Sequence, residues 1–274
     1  MLATRLSRLA CLLLVLAAGC TRAPVTNRVQ YNLIPDSIML GLGKSAYQQT
    51  LSASKVEKTG EDAETLTRVG KKIAAVTGEK DYEWRYRLIE DNKTINAWCL
   101  PGGKIAFYTG ILPVLQNEAG MGFVMGHEVG HAVAHHGAER LSQQLTVLGG
   151  MAGLYLYMDQ KSGLNDTQKG VILAALGLGA EVGVLLPFSR KQESEADIIG
   201  MMYMANAGYP PSESVKIWDR MEKETGGSAL PAFLSTHPSN KDRKANLRDW
   251  MDRAEKRYER NRGSGNPLQT LWND

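Results

Sequence analysis

His127-Glu128-Val129-Gly130-His131 sets two imidazoles four residues apart with an acid beside the first. On an α-helix, residues four apart share a face, so His127 and His131 can offer two nitrogens to one metal ion. Glu128 projects about 100° round from His127, at the edge of that face. There it can hold a water at the metal and take its proton without ligating. The chemistry is metal-assisted hydrolysis: zinc lowers the pKa of water towards about 7, so a carboxylate suffices as base. Val124, Met125, Val129, Ala132 and Val133 give such a helix apolar residues to pack. Gly126 and Gly130 each cost about 1 kcal/mol in a helix, a cost expected where something must come close to the backbone.

A catalytic zinc takes a third protein ligand and keeps one position open. A histidine ten residues after His127 would serve, but that position is Gly137. His135 falls on the His131 face one turn on, about 6 Å beyond at roughly 1.5 Å per residue. His135 and His136 are therefore expected behind the ligands or at the surface. The remaining option is a later carboxylate, and Glu193-Ser194-Glu195-Ala196-Asp197 offers one. Glu193 and Asp197 share a helix face, while Glu195 lies about 200° round from Glu193. Glu193 on the metal, with Asp197 orienting a histidine or arginine behind it, is the expected assignment. The plainer alternative is a solvated acidic first turn. One Zn2+ per chain is the expected cofactor.

These residues need elements to hold them. Residues 46–76 have helical apolar spacing, with Ala53, Val56, Leu66, Val69 and Ile73 as expected core positions. Residues 84–89 alternate large apolar and charged side chains, as a half-buried strand does. Residues 95–100 and 104–109 are two further strands about Pro101-Gly102-Gly103, a turn signal. A helix over 118–145 carries the histidine pair, and two more follow at about 168–186 and 191–207. Residues 212–224 and 239–261 read as exposed, charged helices. The expected fold class is α+β, mostly helical, with a small sheet preceding the helix of the histidine pair. Expected boundaries are a leader at 1–19, a tether at 20–44, the working domain at 45–262 and a loose tail at 263–274. Residues 171–188 are apolar except for Glu181. A buried helix is expected there rather than a membrane span, since a mid-span charge is costly in lipid.

The N-terminus reads as a signal peptide. Arg5 and Arg8 precede an apolar run at 9–18, too short to span a bilayer. Leu16-Ala17-Ala18-Gly19-Cys20 resembles a bacterial lipobox, with Ala17 where leucine is usual. The expectation is export, lipidation of Cys20 and a membrane anchor, with Thr21 favouring the periplasmic face of the outer membrane. With Cys11 removed and Cys20 acylated, Cys99 stands alone and forms no intramolecular disulfide. Cys99 is expected as a buried structural thiol. Removing Arg5 and Arg8 leaves 30 of the 32 basic side chains against 29 acidic ones. That near-neutral balance gives no reason to expect nucleic acid as a partner.

Asn96-Ala97, Pro101-Gly102-Gly103-Lys104-Ile105, Gly126-His127-Glu128-x-Gly130-His131 and Glu193-x-x-x-Asp197 occur together and in this order. In this the chain resembles the zinc metallopeptidase family of the CAAX prenyl endopeptidase and the bacterial heat-shock protease HtpX. Without credible spans it looks like the soluble periplasmic lipoprotein branch that includes BepA and LoiP. The resemblance, over about 45–250, implies a gluzincin-type fold with zinc held by His127, His131 and Glu193. It implies Glu128 as the base and Asp197 behind the ligands. The strand at Asn96, Ala97 and Trp98 would bind an extended substrate along a sheet edge. It also implies His237, in Thr236-His237-Pro238, and Arg243 as catalytic residues near the metal. His237 would either stabilise an oxyanion or occupy the open position of a latent enzyme. Arg243 would anchor that loop or bind the intermediate. The expected function is zinc-dependent cleavage of misfolded or stalled envelope proteins, with outer-membrane assembly machinery as a possible partner. The rival is a periplasmic chaperone holding barrel strands with its peptidase silent. A purely structural zinc site is weaker, since such sites are closed by four Cys or His.

Overall fold

The computed structural model describes residues 20–161, 188–224, 232–237 and 241–262. The expected leader at 1–19, the apolar stretch at 171–187 and the tail at 263–274 lie outside the described residues. Two compact units are present. One holds residues 20–21, 30–34 and 138–161, and the other holds the remaining described residues. Within the smaller unit, Leu33 N–H donates to Ser142 Oγ at 2.8 Å and Tyr31 OH lies 2.9 Å from Thr146 Oγ1.

The chain opens with β1 (Cys20–Arg22) and β2 (Val29–Tyr31), which pair as a two-stranded sheet, and then α1 (Asp36–Ser52). So the segment expected as a tether carries two strands and the first turns of a helix. β3 (Val56–Glu57) and α2 (Glu61–Ala75) follow. The helix expected over 46–76 is therefore two helices with a strand between. Gly60, at φ 117°, holds a conformation no helix interior permits, and Val56 pairs across to Ile89. Ala53, expected in the core, is exposed, whereas Leu66, Val69 and Ile73 are buried as expected.

β4 (Arg85–Ile89), β5 (Ala97–Leu100) and β6 (Lys104–Tyr108) complete a four-stranded sheet of order β3-β4-β6-β5. β4 runs parallel to β6, from Arg85 opposite Lys104 to Ile89 opposite Tyr108. β5 runs antiparallel to β6, Ala97 opposite Phe107 and Leu100 opposite Lys104, across the expected Pro101-Gly102-Gly103 turn. β5 is thus an edge. A short α3 (Leu112–Leu115) leads to α4 (Glu118–Val133), whose first turn is capped by Asn117 accepting from Gly120 N–H at 2.9 Å.

The long helix expected over 118–145 breaks after α4. His135 takes a left-handed conformation, φ 49°, before α5 (His136–Lys161) begins; histidine is among the side chains that tolerate it. α6 (Arg190–Asn206) starts with a capping box, Ser189 and Gln192 exchanging side chain and backbone bonds. α7 (Glu213–Glu224), α8 (Ala232–Thr236) and α9 (Lys241–Asn261) finish the fold. α7 and α9 were expected as exposed helices, yet Ile217, Trp218, Met221, Leu247 and Ala254 are buried on their inner faces. The result is a mostly helical α+β domain whose core joins Leu66, Leu88, Phe107, Met125, Ile199 and Trp218 into one cluster.

Candidate metal centre

α4 and α6 form the most extensive helix pair in the fold, and glycine brings them together. A Cβ on Gly200 would sit 2.6 Å from His127 N, and one on Gly126 would sit 2.7 Å from the Gly200 carbonyl oxygen. This close approach is what the glycines of the histidine motif implied. It sets Glu193, one turn into α6, across from His127 and His131 on α4.

His127, His131, Glu193 and His237 converge, each offering one ligand atom within 4.8 Å of the others, and all four are buried. His131 Nε2 lies 3.1 Å from His127 Nε2, and His237 Nδ1 lies 3.3 Å from His127 Nε2. Glu193 Oε1 is 3.1 Å from His237 Nδ1 and 3.4 Å from His131 Nε2. Four donors placed about 2.0–2.2 Å from a central ion in a tetrahedron lie roughly 3.3 Å apart. The four spacings of 3.1–3.4 Å are close to such edges, so the residues fit a group that holds a divalent cation. Glu193 Oε2 is buried without an aligned hydrogen bond, although Arg243 Nη1 lies 2.8 Å away.

The outward nitrogens of the ligands are held too. His127 Nδ1 donates to Asp197 Oδ1 at 3.0 Å, which leaves its Nε2 lone pair facing the centre. Arg243 grips Asp197 through Nε at 2.6 Å and Nη2 at 2.7 Å, and its guanidinium lies 3.7 Å over the Trp218 ring. Phe233 stacks on His237 with ring centres 4.5 Å apart, and Phe188 stacks on His131 at 4.0 Å. Burial drives His131 well below the usual histidine range and keeps it neutral, as a ligand must be. Burial pushes Glu193 upward, but His237 and His131 outweigh it and hold the carboxyl well below the usual range.

Glu128 lies beside this cluster. Its Oε1 is buried, accepts no hydrogen bond and sits 3.5 Å from His237 Nε2. Burial raises its pKa, opposed by His237 and His127 and by a hydrogen bond from the Cys99 backbone. That last bond ties Glu128 to the sheet edge. Tyr108 N–H donates to the Asn96 carbonyl at 3.1 Å, so Asn96 faces β6 and the backbone groups of Ala97 and Cys99 point away from it, where Ala97 N–H donates to Asn96 Oδ1 at 2.9 Å. Trp98 packs edge-on to Tyr47 with ring centres 6.1 Å apart. Cys99, expected as a buried thiol, is partly buried and free, and burial raises its pKa.

His135 and His136, expected behind the ligands or at the surface, divide between those two places. His136 is fully buried, with Nδ1 2.9 Å from His131 Nδ1 and Nε2 2.9 Å from Glu195 Oε2. In an unbroken helix His136 would point about 140° away from His131, so only the break at His135 brings the rings together. His135 itself is partly exposed, 3.3 Å from Asp36.

The profile of "Peptidase family M48" matches residues 61–251. The "Mitochondrial metalloendopeptidase OMA1" of Schizosaccharomyces pombe is 35% identical over 241 residues, covering 86% of this chain and 68% of that protein. The protein of that name from Saccharomyces cerevisiae is 34% identical over 184 residues, 65% of this chain and 50% of its own length. The "Beta-barrel assembly-enhancing protease" of Escherichia coli is 26% identical over 165 residues, 58% of this chain and 33% of its own length. The two mitochondrial relatives thus match at higher identity than the β-barrel assembly-enhancing protease, and they do not represent the expected lipoprotein branch. The activity named for the two mitochondrial relatives agrees with the converged group that could hold a metal: the chain is a metalloendopeptidase and belongs to peptidase family M48.

Proposed function

We propose that the chain is a zinc-dependent endopeptidase that cuts misfolded or stalled cell-envelope proteins, with Glu128 as the base and His127, His131 and Glu193 as the zinc ligands. The observation that carries this is the convergence of four buried donors beside a buried carboxylate with an unengaged oxygen. Bound zinc supplies Lewis acidity that makes water a nucleophile near neutral pH. Glu128 accepts the proton of the attacking water and passes it to the leaving amine, a task favoured by the upward shift that burial gives its carboxyl. The side of β5 that faces away from β6, at Ala97 and Cys99, would pair an extended, unfolded substrate through its backbone once the Asn96 Oδ1 and Glu128 bonds there are exchanged, with Asn96 and Trp98 flanking it.

His237 sits within the ligand ring, which favours the latent arrangement over a free oxyanion donor. α8, which precedes it, also hydrogen-bonds the lead into the edge strand, Phe233 N–H to the Ile95 carbonyl at 2.9 Å. Arg243 is buried behind Asp197 and Glu193, which favours an anchoring role. The envelope part of the proposal rests on the lipobox-like run before Cys20 and on the β-barrel assembly function named for the Escherichia coli relative. Among the described residues no helix is long and apolar enough to cross a membrane, and lipid on Cys20 would supply the anchor.

The test is cleavage of casein by the purified, zinc-loaded chain beside Glu128→Gln and His237→Ala. A loss of about a thousandfold or more in Glu128→Gln at equal zinc content is expected. His237→Ala should raise basal cleavage. A Glu128→Gln protein that cuts like the parent overturns the base. Silence of both the parent and His237→Ala overturns the unfolded-substrate reading and favours a chaperone that holds strands along β5.

A further inference from the structure

Each histidine of the α4 pair is backed by a carboxylate of α6 that is itself held by an arginine. For His127 the series is Asp197 and then Arg243. For His131 it runs through one more ring: His136, then Glu195, then Arg28 and Thr26. Arg28 Nε and Nη2 both lie 2.7 Å from Glu195 Oε2, and Thr26 Oγ1 donates to Glu195 Oε1. Both inner members are out of solvent, His136 fully and Glu195 nearly so. Glu193, Glu195 and Asp197 thus alternate along α6, and the middle acid, pointing away from the ligand, is not spare.

The donor order of this chain follows from its far end. Ionised Glu195 only accepts, so His136 Nε2 carries the proton between them. With His136 neutral, its Nδ1 is an acceptor, and the 2.9 Å contact is then made by His131 Nδ1 as donor. The His131 Nε2 lone pair is left facing the other ligands. Without Glu195, His136 is free to turn or to donate towards His131, which would put a proton on the wrong nitrogen.

The segment that holds Glu195 is itself built for fixity. Residues 22–29 fold into a tight turn in which Ala23 N–H donates to the Arg28 carbonyl at 2.9 Å and Asn27 N–H to the Ala23 carbonyl at 3.1 Å. Val25, a β-branched residue, is held left-handed at φ 66° and packs with Ala23 against the core. Such a conformation persists only where its surroundings over-determine it.

We propose that His136 and Glu195 are positioning residues that fix the tautomer and ring of His131, and that the 22–29 turn, through Thr26 and Arg28, holds them in register with the metal site. This rests on the reading of His127, His131 and Glu193 as metal ligands. The test is zinc affinity by competition with a chromophoric chelator, with the visible spectrum of the cobalt-loaded protein as a second readout. Glu195→Gln and His136→Ala should bind zinc about 10–100-fold more weakly than the parent, as loss of an outer hydrogen-bonding partner does, and shift the cobalt bands. Arg28→Ala should lose a smaller factor, about 3–10-fold, and Arg28→Lys should recover part of it. Glu213→Gln is the control, since Glu213 is a buried acid paired with Arg220 away from the site. It should lower metal-free thermal stability and leave zinc affinity unchanged. Should Glu195→Gln fail to fold, Arg28→Ala reads the same relay from a partly exposed position. Parent-like zinc affinity in the Glu195, His136 and Arg28 variants would overturn the proposal. So would an equal loss in Glu213→Gln, which would make the effect one of general destabilisation. A parent that binds no metal would overturn the ligand assignment itself.

Discussion

Arg243 meets two buried carboxylates at once, Asp197 through Nε at 2.6 Å and Glu193 through Nη1 at 2.8 Å. Removing one partner of a buried ion pair leaves an uncompensated charge, at about 3–5 kcal/mol. Arg243→Ala is therefore expected to lower the melting temperature by roughly 10 °C or more, read by circular dichroism on the metal-free protein. Arg243→Lys keeps the charge but not the fork that spans both acids, and should fall between. At this scale much was legible in the sequence. His127, Glu128 and His131 lie within one helical turn, so local periodicity alone placed them. Glu193 and Asp197 followed from the same period. The contact of His136 with His131 was not legible, because it depends on one backbone conformation at His135 that no spacing rule encodes. Glu195 was read as facing away from the ligand, which is correct, but what faces it comes from elsewhere in the chain.

The spacing between α4 and α6 is set by Gly126 and Gly200, so it should be more sensitive to a single methyl than any apolar contact nearby. Gly200→Ala would press a Cβ against the backbone of His127, which cannot rotate aside, and is expected to cost about 1–3 kcal/mol in stability. Gly137→Ala, whose Cβ would meet only the end of Met39 at 3.6 Å, should be neutral or gain up to about 1 kcal/mol from helix propensity. Paired denaturant titrations separate the two. The other end of α4 makes a weaker, pH-dependent prediction. Glu118, in its first turn, is lowered by the hydrogen bond from Arg68. A depressed acid contributes stability above its ordinary pKa and loses it as pH falls through the folded value. Both side chains are substantially exposed, so the pair contributes well under 1 kcal/mol. Arg68→Ala should melt slightly below the parent at pH 7 and level with it near pH 3. At this scale the sequence placed the sheet and most helices but ran separate helices together at residues 46–76 and 118–145. Apolar spacing continues across both breaks, while Gly60 and His135 reverse the backbone through conformations that spacing does not record.

For the molecule as a whole, the candidate ligands come from α4, from α6 and from the turn after α8, so a bound metal would tie together segments distant in sequence. Binding to the folded state alone adds about 4 kcal/mol when free metal is a thousandfold above Kd. Stripping with a chelator is expected to lower the melting temperature by roughly 10 °C, recovered on adding zinc and not on adding magnesium, as scanning calorimetry would show. The Gly126–Gly200 contact carries a last consequence, for kinetics. His127 and Glu193 lie on helices that meet backbone to backbone, and every ligand is sealed from solvent. Release of a bound ion is therefore expected to need movement of the backbone that carries one of these residues. A bound metal would then resist competing chelators by slowness of release as well as by strength of binding.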